Sequence, residues 1–151
     1  VILFPVGLTF FNTGSNYFIV LSITYVLFYM ILFVQVFKDM IYADAVNLHL
    51  IIASICGFLL LIEIFVFVSH IFIHLNPQSF AGIDLSNPPT IYIDLVYYCS
   101  VTLTTIGYGD LKPLTHHAKL TASFFGIIGQ FYQILFLGVL ISQFSHRIKK
   151  Q

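Results

Sequence analysis

The chain has 151 residues, of which 59% are apolar and only 8% charged, and its formal net charge is zero. Ordinary soluble domains carry about 25% charged residues, so this composition excludes a sizeable soluble domain and marks an integral membrane protein with room for about three or four spanning helices. Zero net charge also excludes the broad basic footprint of a nucleic-acid binder.

In chain order, Val1 to Phe11 is apolar but reaches at most about 17 Å as a helix, short of the ~30 Å hydrocarbon core. It reads as the remnant of an earlier span or as a short segment in the outer leaflet. Asn12-Thr-Gly-Ser-Asn16 is a turn cluster. Tyr17 to Phe37 then runs without a charge, long enough to span, and Lys38 and Asp39 are expected to end it. A polar-speckled connection follows through Asp44 and Asn47.

Leu48 to Leu75 is the next long apolar segment, interrupted by Glu63, His70 and His74 and stopped by Asn76-Pro77. A polar loop with Gly82, Asp84, Asn87 and Pro88 leads to Ile91–Thr104, which is apolar but too short to cross. That pattern predicts a re-entrant helix followed by extended backbone, which a membrane tolerates only where protein or water surrounds it. Ala118 to Phe144 is the last predicted span, closed by Arg147, Lys149 and Lys150. No internal period appears, and Cys56 and Cys99 both fall in apolar stretches, which implies no disulfide framework.

Between the re-entrant segment and the last span lies Thr102-Leu-Thr-Thr-Ile-Gly-Tyr-Gly-Asp110. Gly107 and Gly109 can adopt left-handed backbone at no steric cost, so successive carbonyls can alternate in handedness and face one axis. Thr105 can add its hydroxyl oxygen to the same column. Oxygen ligands suit a hard cation, and a ring of carbonyls from several copies can replace its hydration shell. One copy cannot make a ring.

Thr-Ile-Gly-Tyr-Gly-Asp from Thr105 to Asp110 resembles the filter signature of the tetrameric potassium channels, and the segment order from about Leu48 to Lys150 is similar to their pore domain. The resemblance implies an all-α membrane protein with an outer helix, a re-entrant pore helix and filter loop, and an inner helix. One or two additional N-terminal transmembrane segments of unknown role (residues 1–44) precede a pore domain at 45–151. It further implies a homotetramer, each chain with three identical partners in the lipid bilayer of the cell. K+ would be held by Thr105, Ile106, Gly107 and Tyr108, with Gly109 completing the filter. Bound K+ apart, no cofactor is expected.

Further roles follow from the resemblance. Tyr97-Tyr98 takes the place of a paired aromatic motif, and Tyr98 is expected to hydrogen-bond sideways to Tyr108; the plainer alternative makes both tyrosines interface anchors. Thr102 and Thr104 support the filter from below, and Asp110 would ring the outer mouth with carboxylates. Val101 stands where some relatives carry glutamate, so no carboxyl bridge is available behind the filter. Gly129 lies where a gating hinge is placed, with Gly126 beside it, although small residues also serve close helix packing. At helical spacing, Gln130, Gln133, Leu137 and Ile141 share a face that would line the cavity, with a neighbouring helix as the alternative partner of the glutamines.

The remaining polar residues carry weaker expectations. Glu63 reads as a neutral, hydrogen-bonded glutamate, and His116 and His117 as loop histidines near the outer mouth. His70 and His74 stand at i and i+4, a geometry that can bind a metal, but no further ligand accompanies them. No segment repeats Arg or Lys every third residue, so an Arg-rich voltage-sensing helix is missing here. More basic residues flank the cytoplasmic ends than the outer ends when the filter mouth faces outside.

The function expected is passive, K+-selective conduction. A subunit of a potassium uptake transporter and a weakly selective cation channel are the alternatives. An enzyme is not expected, because no nucleophile-base motif is present. The N-terminal helices are open to an unknown regulatory partner.

Overall fold

The computed structural model describes residues 15–42, 48–86 and 88–148. Four helices account for most of them: α1 (Ser15–Ile41), α2 (Leu48–Leu75), α3 (Pro88–Leu103) and α4 (His116–Ile148). Two short strands, β1 (Phe80–Ala81) and β2 (Lys112–Pro113), complete the fold. Segments of α1, α2 and α4 are long and apolar enough to cross a membrane, whereas α3, at 16 residues and about 24 Å, is not. The protein is an all-α membrane protein.

Helix limits follow from local chemistry. The Thr115 hydroxyl accepts the Ala118 N–H at 3.4 Å and caps α4, so α4 starts at His116, earlier than apolarity alone predicts. Pro88 and Pro89 sit in the first turn of α3, where a missing N–H costs nothing, and they bring its start forward from Ile91. The Asn76 side chain accepts the Gln78 N–H at 3.0 Å, so Asn76-Pro77 stops α2 as expected and opens a single 3₁₀ turn, Pro77–Ser79.

Two expectations are corrected. Ser15, assigned to a turn, begins α1, and α1 continues through Lys38 and Asp39 to Ile41. Both charged side chains are exposed there, and Lys38 lies in the last turn, where a cation favours the helix dipole. Val1–Phe11, Asn12, the Asp44 to Asn47 connection, Lys149 and Lys150 lie outside the described residues.

Helix α2 is the centre of the packing. On one side it meets α1 along most of its length, with Phe67 stacked on Tyr25 at 4.7 Å. On the other it meets α3 and α4, where Phe65 stacks on Phe125 at 4.5 Å and 11°. Ile91, Leu95, Tyr98, Cys99 and Leu103 form the buried face of α3, the three-and-four spacing of an amphipathic helix.

The strand pair was not foreseen from the sequence. Phe80 pairs with Pro113 and Ala81 with Lys112, antiparallel, and the Leu114 N–H donates to the Ser79 carbonyl at 2.8 Å. This ribbon ties the exit of the Gly-Tyr-Gly loop to the segment before α3.

Candidate functional site

The loop leaves α3 through a set of short-range hydrogen bonds. Thr102 and Thr104 donate their hydroxyls to the Tyr98 and Ser100 carbonyls at 2.7 and 2.6 Å, finishing the last turn. The Thr105 N–H donates to the Thr102 carbonyl at 3.1 Å, and the Gly107 N–H reaches back to the Val101 carbonyl at 3.1 Å. Val101 therefore serves the loop through its backbone.

Above this anchor the backbone alternates. Thr105, Gly107 and Gly109 have φ of 61°, 57° and 80°, and Thr105 is the only non-glycine with positive φ among the described residues. A β-branched residue in this region costs about 1–2 kcal/mol, a strain that persists only where neighbouring bonds hold it. Residues 104–110 are all exposed in the single chain, Ile106 at 55% and Tyr108 at 71%.

Support from the side within the single chain comes from Tyr97, whereas the Tyr98 hydroxyl, expected to bond to Tyr108, has no hydrogen-bond partner among the described residues of this chain. The Tyr97 hydroxyl donates to Asp110 Oδ2 at 2.8 Å, and its ring lies parallel to that of Tyr108, 5° between planes and 6.4 Å between centroids. Asp110 Oδ1 accepts the Leu111 N–H at 2.9 Å. The Tyr97 hydroxyl holds the Asp110 carboxyl below the usual aspartate range, and Asp110 in turn pushes the Tyr97 hydroxyl up.

Tyr98 instead belongs to the core, edge-on to Phe80 at 5.3 Å and 5.7 Å from Phe65. The period of α3 contains the reason: Leu95, Tyr98 and Cys99 share the buried face, which turns position 97 toward the loop. Behind the loop an open surface hollow of about 450 Å³ is bordered by Tyr98, Val101, Thr102, Gly107 and Gly126.

Gly82 is not singled out by the sequence, yet it packs against the loop exit. Its φ is 90°, and a Cβ there would stand 2.5 Å from the Asp110 carbonyl oxygen, so the β1 turn can lie against the loop exit only as glycine. The sequence signal was slight, one glycine in a polar loop.

On α4, Gly126 and Gly129 differ. A Cβ at Gly129 would sit 2.5 Å from Leu103 Cδ2, at the end of α3, whereas one at Gly126 would meet nothing within 4 Å. Gly129 is thus a close-packing glycine in a helix that runs unbroken from His116 to Ile148. Gln130 and Gln133 are half-buried, and Leu137 and Ile141 are exposed. Gln133 also borders an apolar groove of about 230 Å³ between α2 and α4, with Ser54, Phe58 and Phe136.

Tyr132 was likewise not singled out from the sequence. It is buried, and its hydroxyl donates to the Ser54 carbonyl of α2 at 2.7 Å.

Among the other polar residues, Glu63 accepts the Tyr92 hydroxyl at 3.0 and 3.1 Å to its two oxygens. His70 Nδ1 lies 2.9 Å from the Ser22 hydroxyl oxygen, and His74 stacks on Phe18 at 4.9 Å. No cluster of three or more metal-ligating side chains occurs among the described residues. His116 and His117 are exposed, and both cysteines are free.

Comparison with known proteins agrees with this geometry. The family described as "Ion channel" matches residues 55–146. Two-pore potassium channel 5 of Arabidopsis thaliana is 41% identical over 66 residues, 43% of this chain and 15% of that protein. Potassium voltage-gated channel subfamily KQT member 4 of Homo sapiens is 35% identical over 103 residues, 68% of this chain and 13% of that protein. Two pore potassium channel c of Oryza sativa subsp. japonica is 50% identical over 48 residues, 31% of this chain and 10% of that protein.

The chain thus spans at most 15% of the length of these relatives. No solved structure gives a significant match. With the matched residues running from within α2 through the Gly-Tyr-Gly loop to the end of α4, the chain belongs to the two-transmembrane potassium-channel pore family of ion channels.

Proposed function

We propose that the protein conducts K+ passively and selectively through a pore built by four copies of this chain in the cell membrane. The observation that carries this reading is the alternating φ at Thr105, Gly107 and Gly109, set between membrane-length α2 and α4. Such a backbone turns successive carbonyls of Thr105, Ile106, Gly107 and Tyr108 to one side, where four strands can replace the water around K+.

Assembly is supported by exposure. Irregular backbone at membrane depth must be lined by protein or water, and residues 104–110 are exposed in the single chain. Further copies around a water-filled axis answer that requirement. Asp110 would concentrate cations at the mouth, and Gln130, Gln133, Leu137 and Ile141 would line the path below.

The test is the reversal potential of the reconstituted protein in planar bilayers under opposed K+ and Na+ gradients. A shift to the K+ equilibrium potential is expected. A reversal potential that does not separate K+ from Na+ refutes selectivity in favour of a weakly selective cation channel, and flux without unitary currents refutes the channel reading in favour of an uptake transporter.

A further inference from the structure

We propose that α1 sets the position of the inner helix α4 through Tyr132, so that the N-terminal helix controls the opening of the conduction path; this rests on the reading of conduction above. Tyr132 occupies a seat made by two other helices. From α2, the Ser54 carbonyl accepts its hydroxyl at 2.7 Å, the Phe58 ring lies at 6.0 Å, and Gly57 leaves the space for it, since a Cβ at Gly57 would overlap the Tyr132 hydroxyl. From α1, Phe33 and Phe37 approach at 5.8 and 6.2 Å.

The two α1 rings are one turn apart and stacked on each other at 5.7 Å, so they move as a unit with their helix. These rings join α1 directly to α4; elsewhere α1 packs chiefly on α2.

The place of this seat along α4 gives it leverage. Gly129, three residues earlier, is pressed on Leu103 at the base of the loop. Beyond Tyr132, Leu135, Leu137 and Ile141 are exposed in the chain, and nothing lies within 4 Å of where a Gly138 Cβ would be. The upper part of α4 is therefore fixed at two points; below Tyr132, Phe136 and Val139 stay partly buried against the core, while the opposite face is exposed and follows the second point. Gln133 is the next residue, so any rotation of Tyr132 about the helix axis turns Gln133 and Leu137 with it.

A shift of α1 changes the packing of Phe33 and Phe37 on Tyr132, and the proposal requires that this packing energy differ between the open and closed positions of α4. Tyr132 is a positioning residue in this account, since it acts through the face that its neighbours present.

Currents are recorded from the full chain with native Leu137 in planar bilayers, and mobility is read in separate vesicles from a spin label on Leu137→Cys in a Cys56→Ser background; the buried Cys99 stays unlabelled. Tyr132→Phe keeps the ring and removes the Ser54 bond. Phe33→Leu and Phe37→Ala loosen the α1 side, Phe33→Leu being the milder change should Phe37→Ala fail to fold. Each is expected to change the open-to-closed ratio at least about fivefold, the factor that ~1 kcal/mol represents, and to alter label mobility at position 137. Unitary conductance and reversal potential are expected to stay as in the wild type.

Because Tyr132→Leu removes the ring that Phe33 meets, Phe33→Leu combined with Tyr132→Leu is expected to fall short of the sum of the two single changes. Phe28→Ala, on an α1 ring that contacts Tyr29, is the control and should leave both readouts unchanged. Unaltered open probability and label mobility in the Tyr132 and Phe variants, fully additive effects, or an equal response to Phe28→Ala would each overturn the proposal. A wild type without K+ current whose label still responds to the α1 variants sinks the conduction reading and leaves the mechanical coupling standing.

Discussion

Gly126 and Gly129 lie one turn apart on α4, and replacing each with alanine separates a hinge from a packing contact. Either substitution raises intrinsic helix propensity by about 0.8–1 kcal/mol, so that gain cancels when the two variants are compared. What remains is the new methyl group. At Gly126 it meets nothing within 4 Å, whereas at Gly129 it arrives 2.5 Å from Leu103 Cδ2 and 3.5 Å from the Leu103 carbonyl oxygen. Leu103 is fully buried and cannot swing into open space. Overpacking of this kind costs about 1–3 kcal/mol.

At roughly 2–4 °C per kcal/mol for a chain of this size, Gly129→Ala is expected to melt about 2–12 °C below Gly126→Ala. Circular dichroism of the detergent-solubilised protein reads this, since the chain has no tryptophan. Displacement of Leu103 should also disturb the loop that starts one residue later and broaden the distribution of unitary conductances. Equal melting temperatures, or a more stable Gly129→Ala, would refute the packing argument and return Gly129 to the role of a hinge.

Two further outcomes are expected. Gly107→Ala forces a side chain onto a backbone at φ 57°, a cost of about 1–2 kcal/mol, and should abolish K+ current while leaving assembly by cross-linking intact; normal K+ currents would remove Gly107 from the conduction path. Tyr97→Phe removes the hydroxyl that holds the Asp110 carboxyl below the usual range. That hydrogen bond contributes fully above the ordinary aspartate pKa and is lost as pH falls through the depressed value. The midpoint for loss of conductance on external acidification should therefore lie at higher pH in Tyr97→Phe than in the wild type, and coincident midpoints would refute the role of the Tyr97–Asp110 bond.

Much of this architecture was legible along the chain. The limits of α2 coincide with the apolar run Leu48 to Leu75, because a long apolar stretch broken only by single polar residues and closed by Asn-Pro leaves a helix few alternatives. The loop was legible because only certain residue types allow alternating handedness; Gly107 and Gly109 carry positive φ for that reason. Boundaries moved where a local donor or acceptor overrode apolarity, as Thr115 does for α4 and the prolines do for α3. The membrane class, the three long apolar helices and the short apolar helix before the loop are all consequences of composition and run length.

Contacts between distant segments were decided by packing. That Tyr97 and not Tyr98 faces Asp110 depends on which side of α3 rests on Phe65 and Phe80. The β1–β2 ribbon depends on the loop exit being brought beside Phe80. Tyr132 looks like any aromatic in an apolar helix until α4 crosses α2 at Gly57 and its hydroxyl meets Ser54, 78 residues earlier in the chain. One-dimensional periodicity states how much of a helix must leave water or meet lipid. It does not state which neighbour each side chain meets, because that follows from crossing angles and close approaches that exist only once all four helices are in place.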